Sequence, residues 1–483
     1  MAVLTVGPFN RVEGDLEVHL EIEGGRVAAA RVNSTLYRGF EQILVGKAPI
    51  DALVITPRIC GICSVSQSMA AACALADAMG LAMPPNGELA TNLILANENV
   101  ADHFTHFYLF FMPDFAREKA YASKPWYEHA ARRFRAISGT AAAEAVPARA
   151  EFLHLMGTLA GKWPHTLALQ PGGSSRGVEA AERLRLLAVV QSFRKFLERR
   201  LYGDSLESII GIDSPDALRG WMAAREPFSS DFRTFLEIAD DVQLERLGRA
   251  SDQFMSYGVY PVRGRKLFAR GVWDGELKTL DPATITEDLS HSWMKGHDGP
   301  VHPSQGVTIP DDNKAGAYSW CKAPRLGGRV MEVGALARQV VDGHPLIRGL
   351  VLADGGNVRN RVVARLIEIA RVVVAMESWV KILTPGEPFC SVGTMPAEAR
   401  GVGLTESARG SLGHWIHVKR GQIVGYQIVS PTTWNFSPRD KNGVPGALEQ
   451  GLEGTPVAEG ERDPVLVQHL VRSFDPCMVC TVH

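Results

Sequence analysis

The sequence predicts an α+β fold, a mainly helical bundle core with small antiparallel β-sheet regions, and three observations carry that reading. Long runs at helical spacing, poor in Gly and Pro, fill the middle of the chain. Alternating apolar and polar stretches lie near both ends, and no pattern recurs at a fixed period. With 46% hydrophobic and 22% charged residues over 483 positions, the chain has enough apolar surface for a sizeable core.

In chain order, Leu16 to Val32 alternates through Leu16, Val18, Leu20, Ile22 and Val27 around Glu23-Gly24-Gly25-Arg26, the pattern of a hairpin half-buried on one face. Ser64 to Met79 is rich in Ala, Met and Leu with no breaker before Gly80. It reads as a helix with Cys63 at its N-terminal end, where the helix dipole stabilises a thiolate. Further helices are expected over Ala90 to Phe111, Ala148 to Ala160, Val178 to Leu201, Asp231 to Leu247 and Val358 to Leu383. Strands return at Tyr257 to Trp273 and at Trp415 to Ile428, the latter with a turn at Lys419-Arg420-Gly421-Gln422. The segment Asp274 to Asn313 is dense in Gly, Pro, Asp and His and reads as a solvated loop insertion. Its His291, His297 and His302 lack a Cys or paired carboxylate at ligand spacing. One unit in four regions is expected: an N-terminal β region (1–57), a helical core (58–256), a strand and loop region (257–345) and a closing region of helix, hairpin and metal-binding segment (346–483).

A net charge of -2 and an isoelectric point near 6.7 give no footprint for nucleic acid or an anionic membrane surface. Met1 to Asp15 lacks a basic segment followed by an apolar one, and no stretch reaches spanning length. The expectation is a soluble chain, unprocessed at its start and without direct membrane insertion. Seven cysteines without secretory signals argue against a disulfide framework and for metal or redox work.

Two Cys-x-x-Cys pairs stand out: Arg58-Ile59-Cys60-Gly61-Ile62-Cys63 near the start and Asp475-Pro476-Cys477-Met478-Val479-Cys480-Thr481-Val482-His483 at the end. Together they supply four thiolates, which favour zinc, iron-sulfur, copper(I) or nickel over hard cations. On spacing alone a structural zinc ion is an equal reading. Three features weigh against it. The pairs would tie together the whole fold instead of a small ribbon. Arg58, Asp475 and His483 lie beside them, which a structural zinc site does not need. The chain also stops at His483, as if that end were buried and free.

These residues belong to a wider set of motifs: Arg11-Val12-Glu13-Gly14, Arg38-Gly39-Phe40-Glu41, Gly161-Lys162-Trp163-Pro164-His165 with Pro171-Gly172-Gly173, Lys322-Ala323-Pro324-Arg325 with Glu332-Val333-Gly334, and Pro431-Thr432-Thr433-Trp434-Asn435. Over essentially its full length the sequence resembles the large subunits of nickel-iron hydrogenases. The resemblance implies that Cys60 and Cys477 bind nickel terminally, while Cys63 and Cys480 bridge nickel to an iron carrying cyanide and carbon monoxide. It implies heterolytic cleavage of dihydrogen, with Cys477 as the base, Glu13 as the first proton relay and Arg409 as the cation over the metals; a structural ion pair of Arg409 with Asp102 or Asp475 is the other reading, compatible with the first. Thr432 resembles the hydroxyl donor to a cyanide, with Gln67, Asp102, Asp475 and Pro431 around the centre. Glu41 and His483 resemble ligands of a magnesium-type ion, with a backbone carbonyl near Val429 as a third. Cys73, Cys321 and Cys390 match no ligand position, and His103 and His106 read as core histidines.

Some positions depart from the family pattern. Gln67 stands where most members carry a histidine, and Ile62 and Phe110 are bulkier than the residues that commonly line the gas route; Asp15 and Ala408 replace a usual histidine and proline. Gln67, Ile62 and Phe110, together with the end at His483, resemble the regulatory, dihydrogen-sensing branch: slow turnover, oxygen tolerance, a cytoplasmic location and a signal passed to a histidine kinase; Asp15 and Ala408 have no account beyond divergence. An energy-conserving uptake hydrogenase is the alternative. No ferredoxin-like cysteine series exists in the chain, so a small subunit with iron-sulfur clusters is an implied partner, in a dimer of heterodimers.

Overall fold

Residues 2–481 are described by a computed structural model. Ala2–Val6 (β1), Leu16–Glu23 (β2) and Arg26–Ser34 (β3) form an antiparallel sheet in the order β1-β2-β3. The alternation acts as its period dictates, because Leu16, Val18 and Leu20 are buried while Glu17, His19 and Glu21 between them are half-buried. Gly24 and Gly25, both at positive φ, make the turn. β1 was not expected from the sequence; it joins through its own register, Leu4 opposite Leu20 and Val6 opposite Val18.

The helical core begins with Ser64–Met79 (α1), the span expected from its composition, ending at Gly80 in the left-handed region. Pro85–Thr105 (α2) starts earlier than the expected Ala90, since Pro85 occupies the first helical position, where its missing N–H costs nothing. It gives way to a π-helical turn, His106–Phe111. The segment expected over Ala148 to Ala160 is instead two helices, Thr140–Phe152 (α3), which runs through Pro147, and His154–Ala160 (α4). Ala180–Phe196 (α5), Asp231–Asp241 (α6) and Val358–Ile382 (α7) follow the expected runs with shorter ends. α7 packs on α2 and α5, and its apolar residues are almost all buried.

A second sheet, Ala399–Ser407 (β4), Gly410–Lys419 (β5) and Gln422–Val429 (β6), lies against α1. The approach is close because the facing residues are small. A Cβ at Gly401 would come within 2.0 Å of the Ala74 carbonyl oxygen, and one at Gly403 within 1.9 Å of that of Ala70. Glycine on the strand and alanine on the helix therefore bring the β4–β5 turn, Ala408-Arg409, into register with the start of α1.

The loop-rich stretch contains more pairing than its composition suggested. Ile285–Asp288 pairs with Ala323–Leu326, and Met294–Lys295 with Ile309–Pro310. Its histidines do not converge: His291 bonds the Arg439 carbonyl, His297 that of Gly299, and His302 that of Pro282. Among the described residues no helix is long and apolar enough to cross a membrane.

Candidate metal centre

Each cysteine pair sits where a short element ends. Cys60 follows the 3-10 turn Thr56–Ile59, and Cys63 is the residue that opens α1. At the other end of the chain Cys477 opens the 3-10 turn Met478–Cys480. Glu13 holds that turn by backbone pairing: its carbonyl accepts from Met478 N at 2.7 Å, and its N–H donates to Pro476 O at 3.4 Å. Arg38 clamps the two motifs together, donating to the carbonyls of Ile59 and Val479.

The four cysteine sulfurs thereby lie within 4.8 Å of one another, all buried. Cys477 Sγ is 3.0 Å from Cys480 and 3.4 Å from Cys60, and Cys63 is 3.2 Å from Cys480. The donor set is soft sulfur throughout, which fits nickel and iron and disfavours hard cations. Among the described residues this is the one group of three or more Cys, His, Asp or Glu gathered closely enough to hold a metal ion.

Arg409 reaches this centre from the β4–β5 turn. Its Nη1 donates to Asp102 at 3.0 Å, its Nη2 to Asp475 at 3.2 Å and its Nε to the Asp475 carbonyl at 3.0 Å. Burial opposes the guanidinium charge, but Asp475 and Asp102, followed by Cys477 and Cys63, hold it firmly protonated. Asp475 adopts φ 57, a left-handed conformation that an Asp tolerates better than most residues. Burial pushes the half-buried Glu13 carboxyl upward, the Cys60 charge adds to this, and Arg409 and Arg38 oppose it. Thr432 Oγ1 accepts from Cys477 N at 3.2 Å, leaving its O–H free to donate, and Pro431 begins the short helix that carries it.

Other residues singled out in the sequence fall into different surroundings. Gln67, in the first turn of α1, accepts through Oε1 from His414 Nε2 at 2.8 Å, and His414 bonds Tyr426 through Nδ1. Ile62 packs with the apolar cluster that contains the four cysteines. Phe110 lies half-buried in the π-helical turn, its carbonyl accepting from Arg11. Arg58, expected as a charged neighbour of the cysteines, is exposed; Arg38 takes the inner position, bonding a carbonyl in each cysteine loop. His103 bonds Glu368 and His106 the Arg472 carbonyl, away from any ligand role. Ala408 is fully buried, and its carbonyl accepts from Arg338.

Glu41 belongs to a second buried cluster. It pairs with Lys322 at 3.1 Å, accepts from Ile428 N at 2.8 Å and from the Thr308 hydroxyl, and Lys322 pairs in turn with Glu287 at 3.0 Å. His483, expected beside Glu41, lies outside the described residues. In the sequence Lys322 stands only within its motif and nothing marks Glu287; burial of both is a tertiary property.

Fold and site together define a metalloprotein whose centre is assembled from thiols at both ends of the chain, under a guanidinium. The Nickel-dependent hydrogenase family model matches residues 38–144 and 118–483. The chain is 30% identical to the periplasmic [NiFeSe] hydrogenase large subunit of Desulfomicrobium baculatum, covering 99% of this chain and 94% of that protein. It is 28% identical to the hydrogenase-2 large chain of Escherichia coli (99% and 97% covered) and 27% identical to the uptake hydrogenase large subunit of Azotobacter chroococcum (99% and 95%). The fold superposes on a solved Ni-Fe-Se hydrogenase from D. vulgaris Hildenborough with a TM-score of 0.85 at 30% identity, over 100% of both chains. The chain belongs to the nickel-dependent hydrogenase family, oxidoreductases acting on hydrogen, as a large subunit.

Proposed function

We propose that this chain, paired with a small subunit bearing iron-sulfur clusters, splits dihydrogen heterolytically at a nickel-iron centre held by Cys60, Cys63, Cys477 and Cys480. The observation that carries the reading is the convergence of four buried sulfurs beneath Arg409. When bound, the metals, with cyanide and carbon monoxide on the iron, supply a soft acceptor for the hydride. In this reading Cys60 and Cys477 would hold nickel alone, and Cys63 and Cys480 would be shared between nickel and iron. The Cys477 sulfur takes the proton, with charge kept close in a site of low dielectric. Glu13, tied to the Cys477 turn by its backbone, carries the proton outward. Arg409 offers a fixed cation and Thr432 a hydroxyl to the diatomic ligands. Glu41 supplies a hard carboxylate for a magnesium-type ion, with His483 as its companion.

Within this activity the favoured role is that of a cytoplasmic dihydrogen sensor signalling to a histidine kinase as a dimer of heterodimers. What supports it is the neutral Gln67 one turn beyond Cys63, and Ile62 packed among the cysteines, with Phe110, like Ile62, bulkier than the residues that commonly line the family's gas route. An energy-conserving uptake hydrogenase is the second reading, favoured by its relatives, one an uptake hydrogenase and one periplasmic.

Dye reduction by dihydrogen, with the complex purified in air and under anaerobic conditions, separates the two. Slow turnover equal in both preparations is expected for the sensor. Fast turnover that air abolishes would overturn it in favour of the uptake enzyme, and no dihydrogen-dependent reduction in either would sink the activity itself.

A further inference from the structure

Glu98, on α2, has no part in the assignments above, yet it is 1% exposed and binds the start of the helix that Cys63 opens. Its Oε2 accepts from Val65 N at 2.9 Å, Trp163 Nε1 at 3.0 Å and Ser64 Oγ at 3.4 Å; its Oε1 accepts from Ser66 N at 2.9 Å and Ser66 Oγ at 3.1 Å. All five donors are neutral. α1 has no capping side chain of its own, so the N–H groups that a capping residue would take are taken by a carboxylate from another helix.

With metal bound, the Cys63 thiolate and the Glu98 carboxylate would share one helix N-terminus, which offers only about half a positive charge. Glu98 accepts from the second and third N–H groups of α1 and leaves Cys63 without a cap bond to them. The same carboxylate fixes the Trp163 side chain, and Ser64 Oγ accepts from His165 N at 3.2 Å, so the segment after α4 is locked against the cysteine loop.

We propose that Glu98 is a positioning residue for the Cys63 thiolate: it fixes the start of α1 in trans and, by occupying the positive end of the helix, leaves the Cys63 sulfur more electron-releasing toward the metals. The inference rests on the nickel-iron reading above. Burial pushes the Glu98 carboxyl up to about 7 against the pull of Val65, Ser66 and Trp163, so the carboxylate is best examined in alkaline buffer.

The test is the infrared spectrum of the intact heterodimer, with wild type and Glu98→Gln compared at about pH 8.5 and nickel content measured alongside. Gln keeps the shape and removes the charge. The carbonyl band is expected to move to higher wavenumber at unchanged nickel content, because a less electron-rich sulfur weakens back-donation. A lowered melting temperature with the band unmoved would mean a merely structural cap and overturn the proposal. Should Glu98→Gln fail to assemble, Ser66→Ala decides: it removes one neutral donor, and a smaller shift in the opposite direction supports the proposal, whereas an unmoved band overturns it. Absence of any carbonyl band from the wild-type complex would refute the metal-centre reading, and the inference would fall with it.

Discussion

Two buried polar clusters meet the β4–β6 sheet and settle their charge differently. At the cysteine centre, four thiols lie within 4.8 Å of one another, and the guanidinium that their charge reaches, Arg409, is already shared by Asp102 and Asp475. At the Glu41 cluster, the Lys322 ammonium stands between two carboxylates and bonds Gln427 as well. One cluster holds its own cation; the other is built of sulfur donors with no cation among them. Four deprotonated thiols packed this closely in a low dielectric would repel one another, so full ionisation of the cysteine centre calls for a metal cation, whereas the Glu41 cluster carries an ammonium of its own.

The contrast is sharpest if a sulfur is removed. Cys477→Ser is expected to cut nickel content and dihydrogen-dependent dye reduction by more than about 100-fold, the upper range of losses seen when only outer partners of a metal site are changed. Retention of nickel with near-normal turnover would break the comparison at its first term. Next in size is Lys322→Met, which leaves Glu41 and Glu287 buried without their shared cation. A loss of about 3–5 kcal/mol in unfolding free energy is expected from denaturant titration. Glu287 already sits at about 7, chiefly because burial raises it, with Lys322 pulling it down. An unchanged stability would mean that the magnesium-type ion proposed at Glu41 offsets both carboxylates without help from Lys322, and the ammonium would then not be what sets this cluster apart.

A third cluster tests the comparison from the cationic side. Asp114 faces Arg11, Arg117 and Arg472, with His469 adjacent and bonded to Tyr121 OH at 2.6 Å. Burial and then the surrounding arginines hold His469 down to about 4, with Asp114 opposing. Its folded value lies below the ordinary 6.5, so the unfolded chain binds a proton first as pH falls. Stability from this group is present above pH 6.5 and is lost on acidification toward 4, by at most about 3 kcal/mol. Urea unfolding at pH 7 and pH 5 measures it, and His469→Gln is expected to flatten the dependence. A slope that persists unchanged in the variant would assign it to another group.

How much of this could be read in advance varies by element. α1 was legible to the residue, because an Ala-rich run closed by Gly80 is a local signal. β4 was not, because the glycines that let it lie on α1, Gly401 and Gly403, are the residues that weaken a strand pattern. The early start of α3 was hidden for a similar reason: Pro147 reads as a boundary, yet the helix begins at Thr140 and continues through it. At the site, the cysteine pairs and the motif residues announced themselves, but Glu98 and Glu287 did not, since a glutamate in a helix or strand looks the same in sequence whether it is exposed or enclosed.

By itself the sequence determined the α+β class, the hairpin and helix periods, the soft character of the donor set and the family resemblance. All of these are written in residue type and short spacing. Only the tertiary structure decided that the ends of the chain meet, that Arg409 is shared by Asp102, 307 positions away, and Asp475, that Arg38 and not Arg58 clamps the cysteine loops, and that Glu98 caps the Cys63 helix. Those outcomes depend on which buried groups become neighbours. Local periodicity records that a residue is buried; the partner that offsets the cost of burying its charge is chosen by packing between elements far apart in the chain.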